Sequence, residues 1–488
     1  MKKLISFSRS YLTFLMPEIE KRTPNIKWYH IVQNSCEEKY LHGKGCNVVL
    51  NLQNIIKINI SNKSIKKWTE PSDFRTVTRF NWCPVLADRN LINFNENDRF
   101  VVCGILQEFI KRIFSTYKFN LFLSEPVVLF PTHLMYYFSQ KNRVKSIFWS
   151  PSYLPNYFYF SNGCNTREPH PSKILDKKEN LNLKKELNMF ISGVKNDLSG
   201  PIYHPKFASL LDKKANYLKQ RQGKASLVYT IGVKTVFIQF LRLLRAIYKK
   251  ALFYFDGDYI AAGAISEHIF YLKCMLYDRK KYQHVSALIH KRYIVYPLQF
   301  EPEGSLTYFA PEIEDQHSLV ETILRALPSG MLLCVKEHPN QCGALQMAEW
   351  QQLCKKYRSL RIINGRESGR LLVKNAYMVI TISSTLGMDA LILGKKVIVL
   401  GSVFYENFKN VIKINSIEKL ATIINSKWAL VGTKNNISVK QQLFSFVKKS
   451  WSGDPQPSVN LFSENNLNKL AVAINQYALR KASINKEQ

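Results

Sequence analysis

The chain has 488 residues, too many for one ordinary domain, and its 46% hydrophobic content excludes a disordered polymer. Lysine and arginine outnumber aspartate and glutamate by 69 to 36, which gives a net charge of +33. This excess indicates an anionic partner: nucleic acid, an anionic membrane face, or phosphorylated and acidic small molecules. Because the basic residues are spread along the whole chain, a nucleic-acid-binding arm is disfavoured.

The cysteines and the N-terminus bear on the compartment. The nine cysteines are scattered singly and form no C-x-x-C pair, which argues against a disulfide framework or a zinc ribbon and favours a reducing compartment. The chain starts with a basic segment, but Arg9 interrupts the apolar stretch and no small-residue cleavage site follows, so a signal peptide is not expected. No segment approaches ~20 uninterrupted apolar residues, so no transmembrane helix is expected either. The sequence therefore predicts a cytoplasmic protein.

The first 160 or so residues contain short apolar segments separated by polar linkers. Arg99 to Phe114 has apolar residues at helical spacing, and Phe119 to Pro131 reads as a strand, a turn at Ser124-Glu125-Pro126 and a second apolar segment. Val144 to Phe160 begins as another strand. This alternation of strands and helices favours an α/β layer structure.

A basic region separates the two halves of the chain. Residues 165–225 are polar and lysine-rich, and they are expected to form a helical insertion or a mobile loop. Gly232 to Phe255 then carries an apolar stripe, with basic residues at Lys234, Arg242, Arg245, Lys249 and Lys250. The favoured interpretation is a core-facing helix with a solvated basic face, and the alternative is an interfacial helix on anionic lipid.

From residue 290 onward, apolar strands and short helices alternate clearly. Near-continuous valine, isoleucine and leucine strands between such helices predict a parallel sheet covered on both faces. The predicted strands are Arg292–Gln299, Met331–Pro339, Leu360–Asn364, Tyr377–Ser383 and Lys395–Gly401. The predicted helices are Ser318–Gly330, Met347–Tyr357, Ser368–Ala376 and Thr385–Gly394.

Polar residues follow the first of these strands. Gln299, Glu301 and Glu303 come directly after it, and Pro302 fixes the turn. Ligands of open parallel sheets bind beyond the carboxyl ends of the strands, so these side chains are candidates for a site. A solvated loop explains the same spacing about equally well.

The second strand runs into Lys336, Glu337 and His338. Pro339 removes a backbone donor and holds the histidine in an extended conformation. Lys336 and His338 should share one side of an extended chain, where a cation beside an imidazole suits a phosphate or a nucleotide. Taken alone, a His-Pro pair is more often an ordinary loop.

A third strand ends in Ser383, Ser384 and Thr385, and a helix begins at once. The hydroxyls can cap the helix, and its free N–H groups can bind an anion. Gly387 allows a close approach of backbone or ligand. Plain helix capping needs no ligand, but the joint occurrence of three such strand ends in one sheet favours a phosphate-binding site over chance.

The segments YPLQFEPEGS, VKEHPN and ISSTLGMDALILGKKVIVLG, in this order and spacing, resemble the bacterial capsule polysaccharide biosynthesis family. Members of that family are two-domain glycosyltransferases of the GT-B type, and they include Kdo transferases that use a CMP-activated sugar. The resemblance implies an α/β fold with two Rossmann-like domains facing a cleft. It also implies that the C-terminal domain binds the nucleotide-sugar donor.

The resemblance assigns nucleotide-binding roles to the matching residues. His338 would contact the nucleotide, with Lys336 as the basic residue before the His-Pro pair. Ser383, Ser384 and Thr385 would hold the phosphate at the start of the helix. These groups would stabilise the departing phosphate electrostatically.

Residues nearer the transferred sugar are also implied. Gln299 and Glu303 match the glutamine and glutamate that follow the first strand of the family's C-terminal domain. They would face the cleft, with Glu301 as a further substrate-binding residue and Glu303 as a catalytic candidate. A carboxylate would either activate the acceptor hydroxyl or attack the anomeric carbon, and the sequence leaves inversion and retention open.

The N-terminal half should bind the acceptor and supply the catalytic carboxylate. Glu125 is the first candidate, with His133 behind it as a substrate-binding residue. Asp256 and Asp258 are the alternative, and whether their D-x-D spacing marks a metal site stays open. Because a CMP leaving group carries one phosphate, no metal and no cofactor beyond the donor are expected.

The expected domain organisation has three parts. Residues 1–288 form an acceptor-side α/β domain with a basic helical insertion near 165–255, and residues 289–460 form the nucleotide-sugar-binding α/β domain. Residues 461–488 form a C-terminal helix that packs back on the N-terminal domain.

The primary functional hypothesis is a cytoplasmic glycosyltransferase of capsule or surface polysaccharide biosynthesis and transport. It would transfer Kdo from CMP-Kdo to a lipid-linked or glycan acceptor, at the periphery of the anionic inner membrane, without nucleic acid as a partner. The alternatives are a sialyltransferase or polyol-phosphate transferase with CMP or CDP donors, a basic nucleic-acid-binding protein, and a non-catalytic scaffold with the same fold.

Overall fold

The computed structural model describes the whole chain except residues 63, 92–93, 162, 164–168, 170–176, 199–232, 252–264, 266–267, 270–271, 273–281, 302–303, 314, 342, 427–436, 458–459 and 480–488. The strands in the described part are β1 (Lys2–Phe7), β2 (Ile26–Val32), β3 (Val48–Asn51), β4 (Leu121–Ser124), β5 (Lys145–Pro151), β6 (Tyr157–Ser161), β7 (Tyr293–Pro297), β8 (Leu332–Lys336), β9 (Leu360–Ile363), β10 (Met378–Thr381), β11 (Lys396–Val399), β12 (Val411–Lys413) and β13 (Trp451–Ser452).

The α-helices in the same part of the chain alternate with these strands. They are α1 (Leu12–Lys21), α2 (Ser35–Gly43), α3 (Leu52–Asn59), α4 (Phe74–Thr78), α5 (Pro84–Ala87), α6 (Glu96–Tyr117), α7 (Phe130–Lys141), α8 (Lys177–Asn196), α9 (Val233–Ala251), α10 (Gly304–Thr307), α11 (Gln316–Ala326), α12 (Ala348–Lys356), α13 (Gly369–Lys374), α14 (Leu386–Ile392), α15 (Leu420–Ile424), α16 (Ile437–Val447) and α17 (Glu464–Leu479).

The first sheet has the strand order β13-β6-β5-β4-β1-β2-β3. The strands from β5 to β3 pair in parallel, whereas β6 and β13 add antiparallel strands at one edge. Alternate residues of β1 point to opposite faces, so Ile5 packs into one hydrophobic cluster and Leu4 into another. Both faces of the sheet are therefore covered, as the apolar strands predict.

The second sheet has the order β12-β11-β10-β7-β8-β9, and each of these pairs is parallel. In β7, Tyr296 faces one hydrophobic cluster and Val295 faces the other. The predicted α/β fold with two parallel sheets is confirmed. The strands predicted after residue 290 are confirmed too, with slightly shorter bounds.

The C-terminal segment returns to the first sheet. Strand β13 pairs with β6, and α17 packs beside α1. The Lys145 ammonium donates to the Tyr477 carbonyl at 3.1 Å, and the Arg22 guanidinium contacts the Glu464 carboxylate at 2.6 Å. The last described helix is thus part of the layer built by the N-terminal half.

Helix α9 is oriented differently from the core-facing helix that the sequence predicts. Its polar Gln239 is only 2% exposed and shares a hydrogen bond of 2.9 Å with His268, whereas Phe237 is 60% exposed. The prediction of a core-facing apolar stripe is wrong, because the large apolar side chains of the stripe face outward while Gln239 is buried. Among the described helices, none combines the length and apolarity that crossing a bilayer requires.

Candidate functional site

The three polar strand ends lie next to one another. Strands β10, β7 and β8 are consecutive neighbours in the second sheet, and because they run in parallel their carboxyl ends meet at one edge. The Ser383 hydroxyl and the Gln299 side-chain oxygen are 3.5 Å apart across this edge. His338 follows β8 on the other side of β7. The sheet therefore brings the β10, β7 and β8 ends together.

Two buried glutamines organise the β7 end. The side chain of Gln316 accepts from the Gln299 N–H at 2.7 Å and donates to both the Gln299 carbonyl, at 3.1 Å, and the Glu301 carboxylate, at 2.7 Å. Gln341 exchanges two hydrogen bonds with the Glu301 backbone, at 3.1 and 2.7 Å. Burial of the carboxyl group raises the pKa of Glu301. Glu301 is thus a fixed part of the edge, held by two residues that no local sequence pattern marks.

Lys336 binds backbone oxygens of the loops that follow β8 and β9. It is 6% exposed, and its ammonium donates to the carbonyl oxygens of Gly365, at 2.8 Å, and of Glu337, at 3.4 Å. These contacts place the positive charge on backbone oxygens of the neighbouring loop. These contacts fix the Lys336 ammonium against the loop after β9, and its charge contributes to the lowered pKa of His338.

Glu337 fixes the turn that follows. Its buried carboxylate accepts from the N–H groups of Gly343, at 3.0 Å, and Leu345, at 2.9 Å, and from the Tyr282 hydroxyl at 2.6 Å. A carboxylate with several donors can remain buried because its lone pairs are satisfied. The anion after β8 thus shapes the loop that carries His338.

His338 itself is neutral at physiological pH. Burial, with a smaller contribution from the Lys336 charge, lowers its pKa to about 4. Its ring lies edge-on to Phe300, with centroids 5.7 Å apart. A neutral imidazole at this position can donate or accept a hydrogen bond, but it carries no charge for a phosphate.

The β10 end forms a tight hydroxyl-rich turn. The Thr381 hydroxyl accepts from the Ser384 N–H at 3.0 Å, and the Ser384 hydroxyl accepts from the Leu386 N–H at 3.2 Å. Ser384 thus caps α14, whereas Thr385 is exposed and makes no side-chain cap bond. Because α14 has only seven residues, its dipole is small, and the local hydroxyl and N–H groups must supply most of any anion binding.

Gly387 is required by a neighbouring tyrosine. A Cβ added at Gly387 would lie 2.2 Å from the Tyr405 hydroxyl oxygen. That hydroxyl donates to the Ser384 carbonyl. The close approach that the sequence predicted at this glycine is made by Tyr405, which holds the β10 turn from below.

Glu125 stands at the corresponding edge of the first sheet. It follows β4, and the residues after the adjacent β1 supply its partners. The Arg9 guanidinium contacts one carboxylate oxygen at 3.1 Å, and the Tyr11 hydroxyl donates to the other at 2.6 Å. Burial and the nearby carboxylate raise the pKa of Tyr11 well above its usual value. Sequence reasoning missed Arg9 and Tyr11, although the β1–β4 adjacency typical of this fold would have found them.

His133 lies inside the hydrophobic core of the first layer. It is 0% exposed, and the rings of Phe74, Phe80 and Tyr308 surround it at centroid distances of 5.0 to 5.8 Å. Neither ring nitrogen has a hydrogen-bond partner, and burial lowers its pKa to about 3. The structure does not bring this imidazole to the surface of the cleft.

A cavity of about 400 Å³ lies between the two layers. Residues 79–82 of the first half form one side of the cavity. Residues 308–309, 311–313, 400–402 and 413–417 of the second half form the rest. The Gly401 N–H, in the cavity wall, donates to the Ile382 carbonyl at 2.9 Å. The cavity therefore adjoins the β10 turn, although it does not contain the strand-end residues that the sequence predicted.

The cavity combines an aromatic surface with charged groups. Trp82 is 45% exposed there, and the exposed Arg79 adopts a left-handed backbone conformation with φ of 56°. On the opposite side Lys413 pairs with Glu406 at 2.8 Å. An indole face and a guanidinium suit a saccharide that carries an acidic group.

Three predicted site residues lie outside the described part of the chain: Asp256, Asp258 and Glu303. Within the described part, the group Glu20, His30 and Cys46 could offer three ligand atoms within 4.8 Å of one another. There His30 and Glu20 form a hydrogen bond of 3.1 Å, and burial raises the pKa of Cys46 to about 12. Hydrogen bonds explain this buried cluster without an ion.

Comparisons with known proteins agree with the sequence resemblance. Residues 255–408 match the family described as capsule polysaccharide biosynthesis protein. Protein FixF of Sinorhizobium fredii is 27% identical over 158 residues, which cover 32% of this chain and 37% of that protein. The chain thus spans just over a third of the length of the curated relative it matches.

Solved structures that this chain matches include two transferases from Thermosulfurimonas dismutans. KpsC, beta Kdo 2,4 transferase, is 12% identical, with 69% of this chain and 82% of that chain covered and a TM-score of 0.30. KpsC, beta Kdo 2,7 transferase, is 12% identical, with 76% and 89% covered and a TM-score of 0.33.

Proposed function

We propose that the chain is a glycosyltransferase of capsule polysaccharide biosynthesis, because residues 255–408 match the family described as capsule polysaccharide biosynthesis protein. The observation that carries the proposal is the shared edge at which Ser383 and Gln299 lie 3.5 Å apart, beside a cavity between the two layers. The matched segment includes every described residue of this edge.

The donor is a CMP-activated sugar, and Kdo is the sugar that the family resemblance implies. Ser383, Ser384 and Thr385 bind the phosphate with hydroxyl and N–H groups. His338, held neutral by burial, contacts the nucleotide through a hydrogen bond. Preorganised donors of this kind stabilise the charge that develops on the leaving phosphate.

The acceptor is a lipid-linked or free glycan, and the cavity between the layers is its binding site. The Trp82 indole offers a stacking surface for a sugar ring, and Arg79 offers a guanidinium for a carboxylate or phosphate on it. Gln299 lies at the β7 end, next to the β10 turn that adjoins this cavity. The reaction takes place on the cytoplasmic side of the inner membrane, where such acceptors are exposed.

Glu125 is the described candidate for the catalytic carboxylate. Arg9 and Tyr11 contact both of its oxygens and so fix the orientation of the carboxylate. As a base it takes the proton of the acceptor hydroxyl while that oxygen attacks the anomeric carbon and CMP departs. Asp258 and Glu303 remain the other candidates for this role.

A transfer assay tests the proposal. Purified protein is given CMP-Kdo and a glycan acceptor, and His338→Ala and Ser384→Ala are compared with His42→Ala and Ser115→Ala, two exposed control positions. The site variants should lose about 100-fold in kcat/KM and the controls should match the wild type. If both site variants turn over CMP-Kdo normally, the site is misassigned. Turnover only with CMP-sialic acid or a CDP-polyol would instead identify the alternative transferases.

A further inference from the structure

Helix α9 carries an apolar stripe that stays exposed in the described part of the chain. Its large apolar side chains recur every three or four residues, so they form one line along the helix. Each is between 46% and 65% exposed: Phe237, Phe240, Leu241, Leu244, Ile247 and Tyr248. Exposed apolar groups elsewhere in the described chain are more scattered, so this stripe requires a partner.

The opposite side of the helix packs against the protein. Gln239 is buried, and its amide shares a hydrogen bond of 2.9 Å with the His268 ring. Arg242 is half-buried, and burial lowers its pKa. Because the large apolar side chains are more exposed than these polar ones, the helix presents its apolar stripe to an environment outside the protein.

The charge of α9 identifies that environment. The helix sequence VKTVFIQFLRLLRAIYKKA contains lysines and arginines but no acidic residue. Arg245 directly follows Leu244 of the stripe, so a cation borders the apolar line. A second copy of the chain, which also carries +33, would be repelled, whereas an anionic lipid surface satisfies both the stripe and the cations.

We propose that α9 lies in the plane of an anionic bilayer, with its apolar stripe inserted among the acyl chains and the exposed Arg245 at the headgroups. Because an α-helix rises ~1.5 Å per residue, the 19 residues of α9 form a membrane contact about 28 Å long. This inference deepens the proposed function and rests on it, because a lipid-linked acceptor lies in a membrane. Surface attachment by α9 requires no membrane-spanning helix.

Vesicle sedimentation tests this proposal with the full chain. The probes are phosphatidylcholine vesicles with and without phosphatidylglycerol. The double variant Phe240→Glu/Leu244→Glu is compared with Ile58→Glu/Val472→Glu, which adds the same charge at 76% and 52% exposed positions on other helices. The wild type and the control should bind the anionic vesicles, and the α9 variant should bind at least about tenfold more weakly. Added salt should weaken the wild-type binding.

Three outcomes overturn the proposal: equal vesicle binding by both double variants, equal wild-type binding to neutral and anionic vesicles, or a wild-type dimer that the α9 variant alone converts to monomer. CMP-sugar turnover with a soluble acceptor is measured in parallel, and the α9 variant should retain it. Absence of CMP-sugar turnover in the wild type would refute the proposed function, whereas the membrane-binding proposal would stand if vesicle binding is observed.

Discussion

Charged and polar residues at the strand ends act mainly on one another and on backbone groups. The sequence predicts Lys336 and His338 as nucleotide-binding residues. In the structure, Lys336 and Glu337 bind carbonyl and N–H groups of adjacent loops on either side of His338. The residue types therefore indicate an organised strand end, whereas these backbone partners are visible only in the coordinates.

His133 provides a pH-dependence prediction at the residue scale. Its pKa is about 3 in the folded chain, whereas an unfolded histidine titrates near about 6.5. Between these values the unfolded state binds a proton that the folded state does not, so stability falls as pH falls through this window. His133→Phe removes this dependence. The loss of unfolding free energy between pH 7.5 and pH 5 should become about 2 kcal/mol smaller than in the wild type.

Urea unfolding at the two pH values measures this difference, and any constant cost of fitting the phenyl ring cancels in it. His42→Asn, an exposed control, should keep the wild-type dependence. An unchanged pH dependence in His133→Phe would show that the imidazole titrates normally and is accessible to water.

At the scale of elements, a half-buried tyrosine joins the two halves of the chain. The Tyr153 hydroxyl, in the loop after β5, donates to the Asp389 carboxylate of α14 at 2.6 Å. The Arg370 guanidinium of α13 holds the same oxygen at 3.0 Å, with both charged side chains at most 12% exposed. This group fixes α14, and with it the β10 turn, against the first half of the chain.

Tyr153→Phe keeps the ring and removes one hydrogen bond to a buried carboxylate. The free energy of unfolding should fall by about 2 kcal/mol, measured by urea denaturation. Tyr157→Phe is the matched control, since its hydroxyl bonds the exposed Glu186 at 2.8 Å and its loss should cost about 0.5 kcal/mol or less. Equal effects of the two substitutions would mean that the Tyr153 contact does not couple the layers.

Secondary-structure elements can be predicted from the sequence where the pattern that marks them lies within a short segment. The run LRIIN predicted a strand and β9 covers Leu360–Ile363, because a short apolar run between polar turns has few alternatives. The antiparallel pairing of β13 with β6 joins residues far apart in sequence, and no local pattern reports it. The same holds for Gln316, whose amide reaches the β7 end from a helix.

At the scale of the whole molecule, the second sheet gathers hydroxyl groups and an uncharged imidazole at its carboxyl edge, and the first sheet carries Glu125 at its own carboxyl edge. The cavity between the two halves, with Trp82 and Arg79 in its wall, adjoins the β10 turn. The orientation of α9 shows the limit of sequence analysis at this scale. Its amphipathic pattern was evident, but the pattern is the same whether the stripe faces a core or a bilayer.

A crystal structure with bound CMP tests the central claim most directly. The account predicts the phosphate within hydrogen-bond distance of the Ser383–Thr385 turn and the nucleoside beside His338, next to the cavity between the layers. Nucleotide bound at another surface, with the β10 turn and the imidazole both unoccupied, would contradict it.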